Sequence, residues 1–322
     1  MAYRLAVLQG GPSPEATISR QSGDAMAAAL REHGHAVDQL ECDRNIWNRL
    51  TELRPDCVVL ALHGVPGEDG TVQGMLELLG LPYTGSGVAA SAVAIDKVLT
   101  KQIAAQLGIP MARDVVARVN DPAAILTAIN SAGLVWPLIV KGATAGSTIG
   151  LSKITAPGEL GAALDESFAV SPRVLIEECA KGTEISVCLL GNDTPELLPT
   201  PEIVHDQDLF DYATKYTQGA SHHAYPPRCD PAMVAQAERW TIDLYRLIGC
   251  AGCGRGDWII TATGPIFLEL NTLPGMTALS LLPDAASQRG IAFPTVCERL
   301  VEAALQRRRE VAMTAQASLG AG

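Results

Sequence analysis

Asp257, Glu269 and Asn271 are the residues whose types and spacing most directly suggest chemistry. Asp257 lies in the run RGDWIIT (255–261). Glu269 and Asn271 lie in GPIFLELN (264–271), and the turn ATG joins the two runs. Side chains alternate across a strand, so Glu269 and Asn271 share a face, and a hairpin would bring Asp257 alongside. Three oxygen donors there suit Mg²⁺, which prefers oxygen ligands and shares its shell with nucleotide phosphates. The plain alternative is a hairpin with solvated acidic residues. The apolar setting of FLELN favours the metal, because an unpaired carboxylate is costly to bury.

A second feature is VKGATAGSTIGLSK (140–153), which crowds glycines and small hydroxyl residues behind the apolar run LVWPLIV. It matches neither the G-x-x-x-x-G-K-[ST] phosphate loop nor the G-x-G-x-x-G dinucleotide fingerprint. It can still cover phosphates, because glycine lets backbone N–H groups approach an anion and Ser147 and Thr148 add hydroxyls. Lys141 and Lys97 would supply positive charge, although a lone lysine is more often a solvated surface chain.

Three further stretches are open to two readings. LQGGPSPEATIS (8–19) is an ordinary strand-to-helix turn with Glu15 near the helix start, or it makes Glu15 an anchor for a substrate ammonium. His63 in LHGVPGEDG (62–70) closes a buried strand, where active-site groups gather in a parallel sheet, or it is a packing residue. Lys215 and Tyr216 in DLFDYATKYTQG (208–219) reach into a site or decorate a surface loop. LPGMTALSLLP (273–283) opens a helix whose exposed backbone N–H groups could bind a carboxylate.

The elements that must position these residues follow from periodicity. In the first third, YRLAVLQ (3–9) and CVVLALHG (57–64) read as buried strands. TISRQSGDAMAAALREHG (17–34) and TVQGMLELLG read as helices, with Gly34 placed to stop the first. Such alternation implies a parallel sheet with ligands at the carboxyl ends of its strands. From about 94 onward the pattern shifts to a smaller α+β unit with strands at 136–142, 150–155 and 173–179. The last third carries EISVCLLG, a long polar loop at about 205–230, a helix around 231–248, the acidic hairpin and a final helix around 292–309. Expected units are 1–96, an N-terminal αβ substrate-binding domain; 97–182, a central subdomain with the glycine-rich lid; and 183–310, a C-terminal subdomain with the metal and substrate site. A disordered tail is expected at 311–322.

Bulk properties exclude several classes. The 322 residues suffice for two or three packed units. A formal charge of -11, from 24 Lys plus Arg against 35 Asp plus Glu, argues against nucleic acid or an anionic membrane as the main partner. Apolar runs fall short of the roughly 20 residues that span a bilayer, and MAYRLAVLQGG reads as a first strand, not a signal peptide. The expectation is a soluble, cytoplasmic protein. Cys250 and Cys253 form the one close cysteine pair among eight and lack a second pair, so a packing role is expected.

Together and in this order, GGPSPEATIS, LHGVPGEDGTVQGMLELLGLPYTGSGVAASAVAIDK, GSTIGLSK, FDYATKY and LELNTLPGMT resemble the D-alanine–D-alanine ligases of the ATP-grasp superfamily, over roughly 3–308. The resemblance implies an α/β and α+β ATP-grasp fold. It also implies ATP and Mg²⁺ as cofactors (two ions, with Mn²⁺ as a substitute), D-alanine as substrate and a homodimer. ATP would phosphorylate one D-alanine carboxylate, and the amine of a second D-alanine would attack the acyl phosphate, for peptidoglycan precursor synthesis. Carried over, Glu15 would hold the first ammonium, His63 would line that pocket, and Glu15, Ser147 and Tyr216 would form a hydrogen-bonded set. Lys97, Lys141 and Lys215 would contact phosphates under the lid residues Gly146, Ser147 and Thr148. Glu177 and Ala180 would face adenine, and Glu184 the ribose. Arg255 and the Gly275 N–H would face the oxyanion, while Asp257, Glu269 and Asn271 would hold the metals. Ser280 and Leu281 would meet the second carboxylate.

The sequence departs from the family in places. Gly142 replaces a proline, Ala145 precedes the Gly-Ser, Thr148 takes the place of a serine, Cys179 stands where a larger residue is usual, and Gly256 replaces a branched one. Gly142 adds backbone freedom, so the loop is expected to close less readily or to order only with nucleotide. Alternatives are a related ATP-grasp ligase joining a different amino or hydroxy acid, a nucleotide-binding dehydrogenase, and a non-catalytic nucleotide-binding protein. The missing G-x-G-x-x-G opposes the dehydrogenase, and the intact candidate ligands oppose the last.

Overall fold

The structure is a computed structural model and describes residues 1–146, 149–205, 221–277 and 280–320. Its first third alternates β1 (Arg4–Gln9), α1 (Ala16–Glu32), β2 (Ala36–Glu41), α2 (Ile46–Leu53), β3 (Cys57–Leu60), α3 (Thr71–Leu79) and α4 (Val88–Ile95). β1 lies between β2 and β3, parallel to both. Both faces of β1 are covered, which is why its residues are apolar without alternation. Leu5 and Val7 pack with Met26 and Leu30 of α1 and with Val296 and Leu300 of the last helix. Ala6 and Leu8 turn the other way, onto Leu50 and Leu76.

Asp96 ends α4 in an extended conformation and starts α5 (Lys97–Gln106), its carboxylate accepting from the N–H groups of Val98 and Leu99. This N-cap satisfies two donors that the helix start leaves open. The second sheet has the order β4-β7-β5-β6 and is antiparallel throughout. It comprises β4 (Asp114–Ala117), β5 (Leu138–Gly142), β6 (Ser152–Ile154) and β7 (Val174–Glu178). Helices α6 (Pro122–Ser131) and α7 (Leu160–Phe168) cover one face through Ile125, Ile129 and Leu164.

The third sheet runs β11-β10-β8-β12-β13, with β9 beside β8. Its strands are β8 (Thr183–Leu190), β9 (Glu196–Leu197), β10 (Glu202–His205), β11 (Ser221–Ala224), β12 (Cys253–Thr261) and β13 (Gly264–Asn271). The helix Pro231–Ile248 packs on it through Val234, Ala237 and Leu244. Trp258 is fully buried there and donates its indole N–H to Thr241 Oγ1 at 2.9 Å. Gly256 leaves room for this contact, since a Cβ at 256 would meet Thr241 Cγ2 at 2.8 Å.

Two expectations need correction. The polar stretch 205–230 is not unstructured at its ends: β10 reaches His205, and β11 pairs with it antiparallel from Ser221. Two short strands so far apart in sequence leave little local signal. The last helix runs Phe293–Gly320, so the expected disordered tail is helical through 320. Alanine, glutamine, arginine and glutamate are all good helix formers, which suits that continuation. Cys250 and Cys253 are both buried, and burial pushes each thiol up to about 12. Among the described residues, no helix is long and apolar enough to cross a membrane.

The glycine-rich loop is fixed where it leaves β5. Gly142 does not use a left-handed conformation; it continues the ladder opposite Val174. What it supplies is space, because a Cβ there would lie 2.7 Å from Ser171 Cβ and 3.0 Å from Ala145 Cβ. The hydroxyl of Ser171 bonds Arg173 O at 2.8 Å and approaches Thr144 Oγ1 at 3.2 Å. At the far root, Ser167 donates to Gly150 O at 2.6 Å. The extra freedom expected at Gly142 is therefore not expressed in the folded chain.

Two stability predictions follow from these contacts. Gly142→Ala should cost about 1–3 kcal/mol by overpacking, read as a lowered melting temperature that Ser171→Gly partly restores. Thr241→Val should cost about 1–3 kcal/mol by leaving the Trp258 N–H without its acceptor, read by chemical denaturation.

Candidate active site

A cleft of about 750 Å³ opens between the second and third sheets. It collects Lys97, Lys141, Glu177, Ala180, Glu184, Asp257 and Glu269, which the sequence disperses over four segments. Lys141 comes from β5, Glu177 from β7, Glu184 from β8 and the two acidic residues from β12 and β13. Ala180 lies in the short link between β7 and β8, which also carries Cys179.

The acidic hairpin face is set by register. Asp257 lies opposite Glu269, and Arg255 opposite Asn271. Arg255 and Asp257 share a face of β12, and the guanidinium grips the carboxylate with Nε and Nη2 each 2.9 Å from an Asp257 oxygen. Burial opposes the Arg255 charge, but Asp257 more than offsets this and holds the guanidinium above its ordinary range. Ser186 donates to Asp257 Oδ1 at 2.6 Å. Asn271 Oδ1 accepts from the Leu273 N–H at 3.3 Å. Among the described residues no group of three His, Cys, Asp or Glu side chains gathers as a metal site. The set is two carboxylates and an amide, all oxygen donors, and fits Mg²⁺, which is held by one or two carboxylates plus substrate phosphates.

Lys97 opens α5 and links the lid to this hairpin. Its Nζ lies 2.8 Å from Ala145 O and 3.0 Å from Glu269 Oε2. Lys141 pairs with Glu177 Oε1. The other oxygen, Oε2, takes Lys101 at 3.0 Å, and Lys101 also pairs with Asp114. Burial alone would raise the Glu177 carboxyl, but the two ammonium groups outweigh it and hold it below the usual carboxylate range. Burial pulls Lys101 down, while Glu177 and Asp114 more than offset this and hold it above the usual lysine range. Glu178 points the other way, to Arg113 Nε at 3.1 Å and to the Val135 N–H at 2.8 Å.

The remaining candidates gather beside the first sheet. Glu15 ends the turn before α1 and is buried. Its Oε2 would lie 2.9 Å from a Cβ built on Gly64 and 3.3 Å from one on Gly146, so the carboxylate sits between the 62–70 loop and the lid. His63 is buried, with Nε2 3.1 Å from Ser22 Oγ and Nδ1 3.7 Å from Glu68 Oε1. Ser22 also accepts from the Met276 N–H at 3.4 Å, which ties this pocket to the loop bearing Gly275. A Cβ at Gly275 would meet Ser280 Oγ at 2.7 Å. Ser280 turns its hydroxyl to the Thr277 N–H at 3.0 Å and does not cap the helix Leu281–Gln288. Ser147, Thr148, Lys215 and Tyr216 lie outside the described residues, so the proposed Glu15–Ser147–Tyr216 set has only Glu15 placed.

Sequence reasoning missed Lys101, Ser22 and Ser186. Lys101 follows Lys97 by one helical turn, so K-x-x-x-K was a usable signal for two lysines on one face of α5. Ser22 shares a face of α1 with Glu15 and Ser19, and all three are buried. Nothing local marks Ser186.

Comparison with known proteins agrees with this architecture. The family profile described as D-ala D-ala ligase C-terminus matches residues 103–302, and the D-ala D-ala ligase N-terminus profile matches 44–86. A D-alanine–D-alanine ligase of Moorella thermoacetica is 43% identical over 94% of this chain and 99% of its own length. The crystal structure of D-alanine–D-alanine ligase from Bacillus anthracis superposes with a TM-score of 0.83 at 30% identity, covering 96% of this chain and 99% of that one. The same enzyme complexed with ATP gives 0.81 at 28%, with the same coverage. The VanG D-Ala:D-Ser ligase from Enterococcus faecalis gives 0.81 at 27%, covering 94% of this chain and 99% of that one. With two profiles, a full-length relative and these superpositions in agreement, the chain belongs to the D-alanine–D-alanine ligase family and has the ATP-grasp fold.

Proposed function

We propose that the chain joins two D-alanine molecules to D-alanyl-D-alanine with ATP as the activating substrate, supplying peptidoglycan precursor synthesis. The observation that carries the reading is one cleft holding two phosphate-ready lysines, Lys97 and Lys141, beside the facing carboxylates Asp257 and Glu269. Family membership adds the substrate class.

Adenine would enter at Ala180 and Glu177, the ribose at Glu184, and the phosphates between Lys141 and Lys97 under the lid. Lys215, Gly146, Ser147 and Thr148 would complete the phosphate contacts. Glu15 would hold the ammonium of the first D-alanine, with His63 lining the same pocket. The carboxylate oxygen of that substrate attacks the γ-phosphorus, the bond to the β-phosphate oxygen breaks, and ADP leaves an acyl phosphate. Such transfers depend mainly on positioning and charge stabilisation.

The second D-alanine would bind with its carboxylate at Ser280 and Leu281. Its amine lone pair attacks the acyl carbon, a proton leaves the nitrogen, and collapse of the tetrahedral intermediate expels phosphate. Arg255 and the Gly275 N–H would face the oxyanion, as groups preorganised for developing charge. Asp257, Glu269 and Asn271 would hold Mg²⁺, as two ions, with Mn²⁺ able to substitute; the metal supplies charge neutralisation at the phosphates. A cytoplasmic homodimer with no nucleic-acid or membrane partner completes the reading.

The direct test follows ADP and phosphate release with Mg-ATP and D-alanine and identifies the product by mass. D-alanine-dependent ADP with a dipeptide is expected. Turnover only with another amino or hydroxy acid would move the chain to a sister specificity, a reading to which the VanG likeness gives some standing. In a second measurement, Glu15→Gln should raise the KM of the first D-alanine by about 10-fold or more while leaving ATP binding near the parent value. Unchanged D-alanine kinetics would remove Glu15 from the ammonium site.

A further inference from the structure

We propose that Lys101 is a positioning residue for the nucleotide, fixing Glu177 at the base end of the cleft and, through Glu177, the place of Lys141. The inference rests on the reading of this cleft as the ATP site.

Lys101 is built in rather than left over. Its ammonium meets three acceptors: Ala112 O at 3.0 Å, Glu177 Oε2 at 3.0 Å, and an Asp114 carboxylate oxygen. An ammonium has three donors, so none remains for a ligand. Lys101 is therefore not a phosphate ligand, although it sits one helical turn from Lys97, which does reach the cleft. The acceptors come from β4, from the residue preceding it by two positions, and from β7, whose register sets Asp114 directly opposite Glu177. One helix of the first half thus locks two strands of the nucleotide sheet.

Glu177 in turn has both oxygens engaged, Oε2 by Lys101 and Oε1 by Lys141. Two positive and two negative side chains, Lys101, Lys141, Glu177 and Asp114, make a locally neutral cluster. Lys101, Lys141 and Glu177 are all buried. If Lys101 is removed, Asp114 loses its cation and Glu177 is left with Lys141 alone. The stronger claim of Glu177 on Lys141 then holds that ammonium back from a phosphate and lets the carboxylate turn away from the base. Small misplacements of such groups are costly in binding and rate. The first-substrate pocket around Glu15 and His63 lies on other elements and should be little affected.

The test uses the full chain. ATP is titrated calorimetrically with Mg²⁺ and without D-alanine, and steady-state KM values are taken for ATP and D-alanine separately. Lys101→Met should weaken ATP binding roughly 10- to 100-fold, raise the KM for ATP, and leave the KM for D-alanine within about threefold. Lys101→Met with Asp114→Asn restores charge balance and guards against simple unfolding of the single variant. It should recover the melting temperature while ATP binding stays weak. Lys101 is reduced to a charge-balancing residue if the double variant binds ATP as tightly as the parent. The same holds if Lys101→Met binds ATP within twofold of the parent, or if both KM values rise together. A parent that binds ATP but forms no dipeptide would overturn the functional reading alone; a parent that binds no ATP would overturn both.

Discussion

Charge taken out of water must be paired, and the cleft of this protein is organised around that requirement. Lys97, Lys101, Lys141, Glu177 and Asp257 are all less than one-tenth exposed. Desolvating any one of them alone would cost several kcal/mol, about what a whole domain has to spare. The structure resolves this by pairing each: Lys97 with Glu269 and Lys141 and Lys101 with Glu177, all across elements, and Asp257 with Arg255 two residues away on the same strand. Such pairs are weak sources of net stability but strict about geometry. They join α5, which follows the first third of the chain, to both antiparallel sheets. The nucleotide reading inherits a consequence. On the proposed reading Mg²⁺ would take over Glu269 as Lys97 turns to a phosphate, so assigning Lys97 to phosphate and Glu269 to Mg²⁺ are coupled statements.

The same economy governs the glycine-rich loop. Its departures from the family pattern suggest looseness when read as a string. In the folded chain Gly142 is a regular strand residue pressed on Ser171, and Lys97 ties down both Ala143, through its backbone N–H, and Ala145, through its ammonium. Whatever movement the loop makes must occur beyond this root. A residue that removes a side chain can serve freedom or closeness, and only the neighbour decides which.

That distinction marks how much the sequence could disclose. The helix Pro231–Ile248 was legible to the residue because Asp230 caps it, Pro231 starts it and Gly249 stops it with a left-handed φ of 77°. The shared face of Glu269 and Asn271 was legible because the strand period is local, and the hairpin partner was near enough in sequence for Asp257 to be included. The two lysines of Glu177 were not. Lys101 and Glu177 are 76 residues apart, and their meeting depends on the β4–β7 register, which no period encodes. Likewise β10 and β11 are only four residues each and separated by a long stretch of sequence, so neither could be read alone. The five ordered motifs carried the fold through their order along the chain; they carried individual side-chain partners only where those partners are neighbours in the chain.

The two proposed amino-acid sites are joined by a contact that neither motif displays. Ser22 is fully buried on α1, and its hydroxyl lies against both His63 Nε2 and the Met276 N–H. One side chain therefore links His63, in the wall of the proposed first-substrate pocket, to the loop that carries Gly275. That loop leads on to Ser280, whose hydroxyl is already committed to the Thr277 N–H. The Gly275 loop and His63 thus share one buried hydroxyl as a common contact. For a ligation in which the second amine has to meet an activated carbonyl before water does, such coupling is more useful than two independent pockets. On the proposed reading it would help set the distance between the two bound substrates from one buried point, and proximity of that kind accounts for much of what a ligase must contribute.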